Sequence, residues 1–77
     1  MKLGHADSYK KLKFNITYAR KMKGITQIQL AERIGISRTH MSNIEAPNGS
    51  AGLSLDVLFD IADALEMPVA KLFDFRD

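Results

Sequence analysis

The sequence predicts an all-α domain, a compact bundle of five short helices. Apolar residues recur at helical spacing, as in Leu30-Ala31-x-x-Ile34 and Leu58-x-x-Ile61-Ala62-x-x-Leu65, and no stretch alternates as a strand would. Glycine, proline and Ser/Thr positions divide the chain at intervals that suit short helices. At 77 residues and 45% hydrophobic, the chain can bury one small core. It has no cysteine, so neither disulfides nor a thiolate metal site organise it. No apolar run is long enough to cross a membrane and no signal peptide is visible, so a cytoplasmic protein is expected.

Taken in order, residues 1–9 lack periodicity and are expected to form a flexible N-terminal segment ahead of a domain over 10–77. The first helix should run from about Lys10 to Lys23, with Leu12, Ile16 and Ala19 inward and Gly24 ending it. Phe14, Tyr18 and Met22 repeat every four residues on its other side. Either the C-terminal segment with Phe75 folds over that stripe, or the stripe is an interface with another chain.

Thr26 and Gln29 have the spacing of a capping box and open the second helix. Leu30, Ala31 and Ile34 form its buried stripe, and Gly35 supplies the left-handed residue that reverses the chain. Ser37 caps the third helix, with Met41 and Ile44 inward and Arg38, Thr39, Ser42 and Asn43 outward. Folding does not need such a run of hydrogen-bonding side chains on an exposed helix. Two short helices joined by a tight turn in this way have the form of a helix-turn-helix, which can place its second helix in the DNA major groove.

Residues 46–53 are a loop by composition. Ser54 caps the fourth helix, with Leu55, Leu58, Ile61, Ala62 and Leu65 expected inward. Pro68 suits the first turn of a short fifth helix, from which Val69, Leu72 and Phe73 should close the core.

The net charge of +2 hides an asymmetry. Residues 1–45 hold nine Lys/Arg and three acids, and residues 46–77 hold two bases and six acids. A basic half suits a polyanion and an acidic half faces away from it; two solvated faces would look the same.

The run Thr26-Gln27-x-x-Leu30-Ala31-x-x-x-Gly35-x-Ser37-x-x-x-Met41-Ser42-x-Ile44-Glu45 resembles the phage repressor/Cro family of helix-turn-helix proteins, also called XRE-like. Ser54-Leu55-x-x-Leu58-x-x-Ile61-Ala62-x-Ala64-Leu65 and Leu72-Phe73 extend the likeness over residues 10–74. It implies a five-helix domain of the phage repressor DNA-binding type, with the third helix as recognition helix. It also implies that Gln27 binds a phosphate and braces that helix, with Thr26 beside it. Arg38 and Thr39, with Asn43 one turn on, would reach base edges, and Ser37 and Ser42 would contact phosphate or bases. A structural ion pair between Arg20 and Glu45 is implied as well. The loop after Glu45 is longer than the common form and carries Pro47, so its contacts do not carry over.

The resemblance implies a transcriptional regulator, in particular a repressor that binds a palindromic double-stranded operator as a homodimer. The basic half would supply the phosphate contacts. The alternative is a protein-interaction module, antitoxin-like, docking a partner on Phe14, Tyr18 and Met22. No catalytic constellation is visible. His5 and His40 are the only histidines and lack companions for a metal site, so neither a metal nor another cofactor is expected. His40 should be a partly packed surface residue near backbone phosphate. Asn15-Ile16-Thr17 and Asn48-Gly49-Ser50 match the glycosylation sequon but are expected to be accidental.

Overall fold

In the computed structural model, which describes residues 4–76, four α-helices precede one 3₁₀ helix. They are α1 (Ala6–Met22), α2 (Gln27–Ile34), α3 (Arg38–Glu45), α4 (Leu55–Ala64) and the 3₁₀ helix Val69–Phe73. No strand occurs among the described residues. The all-α class is therefore as expected, but the fifth helix is a single tight 3₁₀ segment. Residues 1–3 of the expected N-terminal segment, and Asp77, lie outside the described residues.

Helix α1 starts at Ala6 rather than near Lys10. Asp7 falls in its first turn, where the helix dipole favours an acid, and reaches Lys11 one turn on at 4.0 Å. Periodicity misses this turn because its side chains, apart from half-buried Tyr9, stand in solvent.

The caps follow local chemistry. Thr26 Oγ1 accepts from the Gln29 N–H and Gln29 Oε1 accepts from the Thr26 N–H, so the capping box is complete. Ser37 and Ser54 cap α3 and α4 by accepting from the His40 and Val57 N–H groups. Pro68 is not in the first helical turn: its ψ of 138° keeps it extended at the N-cap, and its carbonyl accepts from the Lys71 N–H.

The core joins Leu12 and Ile16 of α1, Leu30 and Ala31 of α2, Met41 and Ile44 of α3, and Leu58, Ile61 and Ala62 of α4. Leu65 and Leu72 close it, and Ile34, Ile36, Val69 and Phe75 pack at its edge. Helix α2 packs on α3 and α4, while α1 packs on α3 and the 3₁₀ helix. Two residues expected inside are outside. Leu55 is 66% exposed while Val57 and Leu58 in the same turn of α4 pack on the core, and Phe73 is 44% exposed beside fully buried Leu72. Both line a surface groove with Tyr9, Leu53 and Leu58.

The stripe on α1 is also uncovered: Phe14, Tyr18 and Met22 are 67%, 57% and 68% exposed. The C-terminal segment approaches this helix, since Asn15 Nδ2 donates to the carbonyls of Leu72 and Asp74. It runs beside the stripe and leaves it open; Phe75 only shares a groove with Phe14.

Candidate nucleic-acid interface

The turn between α2 and α3 is what aims α3. Gly35 takes a φ of 75°, so the chain leaves α2 through a left-handed residue, and the Ile36 N–H returns to the Ala31 carbonyl. Ile36 packs against the core beneath the turn. Met41 and Ile44 then hold the inner face of α3, leaving Arg38, Thr39, Ser42 and Asn43 exposed on the outer face.

Gln27, Ile28, Arg38, Thr39 and Ser42 line one shallow depression. The start of α2 and the outer face of α3 therefore form a single surface. Asn43, one turn along α3, is exposed beyond the depression's rim. Ile28 was missed in the sequence. It is apolar but lies off the Leu30–Ala31–Ile34 stripe, and that displacement is the signal that could have marked it.

The hydroxyls of Thr26 and Ser37 accept from helix N–H groups, which leaves the proton of each free to donate. Gln27 Nε2 donates to Glu45 Oε1 at 2.9 Å, and its second amide proton remains for another acceptor.

Behind this surface lies a charged brace. Arg20 Nε donates to Glu45 Oε2 at 2.7 Å and an Arg20 terminal nitrogen donates to Oε1 at 3.0 Å, a bidentate pair. Another Arg20 nitrogen donates to the Ile25 carbonyl. The two charged side chains are 8% and 4% exposed. Burial alone would raise the Glu45 pKa, but hydrogen bonds from Arg20 and Gln27, the Arg20 charge and a bond from Thr17 outweigh it and hold the pKa below the ordinary value. Helices α1, α2 and α3 thus meet at one carboxylate.

Lys13 forms a second brace that was not expected. Its side chain lies inside the protein, the whole residue only 2% exposed. Its ammonium donates to the carbonyls of Asn43, Ala46 and Ala51 and to Asn48 Oδ1, all between 2.7 and 3.0 Å. Burial pulls its pKa below the usual lysine value. Three protons serve four acceptors, so at least one is shared. Asn43 and Ala46 lie at the end of α3, where carbonyls lack helical partners and a cation is favourable. The longer loop with Pro47 therefore wraps around a lysine. His40 ties the same loop to α3 through Nε2 and the Gly52 carbonyl; since that oxygen can only accept, Nε2 carries the proton.

These contacts shrink the basic surface expected from composition. Lys13 and Arg20 are internal. Arg33 shares a depression with Asp60 and Asp63 of α4. Lys10 lies with Phe14 and Phe75 in another groove, away from Arg38. Asn15 and Asn48, the sequon asparagines, each hold or accept a structural hydrogen bond.

A capped helix, a left-handed turn and a second helix with a buried back and a polar front define a DNA-binding helix-turn-helix domain. A family model described as helix-turn-helix matches residues 16–72, and the chain belongs to that family as an XRE-type DNA-binding transcriptional regulator. No curated protein matches the chain. No helix among the described residues is long and apolar enough to cross a membrane.

Proposed function

We propose that this protein is a cytoplasmic, non-catalytic repressor that binds a near-palindromic operator as a homodimer. The observation that carries this reading is the division of α3: Met41 and Ile44 buried, Arg38, Thr39, Ser42 and Asn43 exposed. Arg38, Thr39 and Asn43 discriminate bases, with Arg38 suited to a bidentate contact with guanine. Ile28, beside them, offers an apolar contact for a thymine methyl. Thr26, Gln27, Ser37 and Ser42 hold phosphates from hydroxyl and amide donors. The Arg20–Glu45 pair and Lys13 keep α3 and its following loop at a fixed angle to α2. Two copies bind half-sites about one turn of DNA apart, ~34 Å, and exclude polymerase by occupying the promoter.

Selection of bound duplexes from a random pool, repeated with Arg38→Ala, tests this reading. A palindromic motif should emerge, and the variant should lose information at one symmetric position with a cost of about 1–3 kcal/mol. No enriched motif, or an equal loss on every duplex, would remove Arg38 as a base reader. The exposure of Phe14, Tyr18 and Met22 favours a second reading, an antitoxin-like module for a protein partner. Tight binding to such a partner with only weak, salt-sensitive DNA binding would support it instead.

A further inference from the structure

The protein carries two exposed apolar ridges with charges of opposite sign. On α1, Phe14, Tyr18 and Met22 form the first, with Phe14 and Tyr18 rings stacked at 6.2 Å between centroids. Helical neighbours of these residues include Lys10, Lys11 and Lys21; among the described residues Lys11 has a loose contact to Asp7, and Asp74, paired with Arg76, lines the same groove as Phe14. On α4, Leu55 and Phe59 are exposed one turn apart and form the second. Asp56 and Asp63 are the helical neighbours of Phe59 on either side, and both are exposed; Asp63 shares its depression with Arg33 and Asp60, so two acids meet one base there.

The ridges belong to one belt. Phe14 shares a groove with Phe75, the Phe75 and Phe73 rings lie 6.5 Å apart, and Phe73 shares the next groove with Tyr9 and Leu55. The belt shares no residue with the depression that holds Gln27 and Arg38. Phe14, Tyr18, Met22, Leu55, Phe59 and Phe73 are each about half exposed or more. At the usual 150–250 Å² for a large side chain, they present roughly 600 Å² of apolar-rich surface. That is at the upper end of the patches normal for a monomer. It is also most of the ~800 Å² per partner in a standard interface.

We infer that this belt is the homodimer interface, with α1 of one copy against α4 of the other. The inference rests on the dimer proposed above and adds its surface. A two-fold interface must be self-complementary. A uniformly basic ridge would repel its own copy, but a belt basic at one end and acidic at the other does not. With the two-fold near Phe73 and Phe75, the lysine-flanked ridge of each copy meets the aspartate-flanked ridge of its partner, and both contacts form together.

Sedimentation equilibrium without DNA tests the interface by charge exchange. Lys10→Glu with Lys21→Glu makes both ends acidic, and Asp56→Lys with Asp63→Lys makes both ends basic. Each double variant alone should sediment as a monomer, and their equimolar mixture should return to the dimer mass. Recovery in the mixture also shows that both variants fold. Phe14→Ser, on an exposed side chain, should weaken the dimer at least tenfold. A wild-type protein that stays monomeric at the highest concentration sedimented would overturn the dimer itself and leave the belt to a different protein. If the wild type is dimeric but the variants remain so alone, the dimer stands and this face is wrong. A mixture that stays monomeric would likewise overturn the charge pairing. No outcome depends on operator binding, so failure of the DNA reading is seen separately.

Discussion

Glu45 accepts hydrogen bonds from two nitrogens of Arg20 and one of Gln27, with its side chain 4% exposed. Breaking such a buried pair leaves the other charge without a partner, a loss of about 3–5 kcal/mol. Glu45→Ala should lose that much in urea unfolding, a large part of the stability of a small domain. The pH dependence follows from the lowered Glu45 pKa. The native state holds this carboxylate ionised to lower pH than the unfolded chain does. Its contribution is complete above the unfolded pKa of about 4.3 and is lost as pH falls through the lower native value. Glu45→Gln should flatten the acid limb of a stability profile over that window; an unchanged limb would mean that the pair is not formed in solution. Lys13 is the corresponding residue on the loop side. Lys13→Met removes the donor to three carbonyls and to Asn48, and should cost about 3 kcal/mol at neutral pH. Exchange of the Ala51 and Leu53 amides should rise more than that of the α2 amides.

At the scale of elements, two left-handed glycines, Gly35 before α3 and Gly52 in the loop packed on Ile44, separate backbone strain from crowding. Gly35 at φ 75° has open space where a Cβ would stand. Gly35→Ala should therefore cost only the left-handed penalty, about 1–2 kcal/mol. Gly52 at φ 81° would place a Cβ 3.0 Å from Ile44 Cγ1 and 3.1 Å from its backbone nitrogen. Gly52→Ala should be the worse of the two by thermal unfolding, because the loop must also move off α3. Equal losses would show that the loop yields freely. The Thr26, Gly35 and Ser37 signals could be found in the sequence because each satisfies backbone groups within three or four residues of itself. The division of α3 was legible for the same reason, as Met41 and Ile44 repeat at helical spacing. Lys13 was not, since its acceptors lie 30 to 38 residues away and composition counts it as surface charge. Leu55 and Phe73 have core spacing and core chemistry, yet the core takes their neighbours Leu58 and Leu72 and leaves them at its edge, and pattern alone does not say where a core stops. Arg20–Glu45 came from resemblance; neither residue has a local signal for a partner 25 positions away.

Over the whole molecule, the basic half exerts less field on DNA than its nine Lys/Arg suggest. Lys13 and Arg20 point inward, Arg33 shares its depression with two aspartates, and Lys10 lies on the α1 ridge beside Phe14. Of the bases described, only Arg38 lines the depression at the start of α2. Neutral hydroxyl and amide donors surround it. Each phosphate neutralised by a cation adds about 0.9 to the slope of log affinity against log salt, so nine such contacts would give about 8 per protomer. Few cations face the depression, so the slope per protomer should be well below that figure. Fluorescence anisotropy on one duplex between 50 and 200 mM salt measures it. Arg38→Ala removes a base contact rather than a phosphate partner, so it should lower affinity with little change of slope, and Lys13→Met should also leave the slope unchanged at a temperature where the variant is folded. A Lys13 variant that loses a full unit of slope would place this ammonium on the DNA, and the loop after α3 would then have to open for binding.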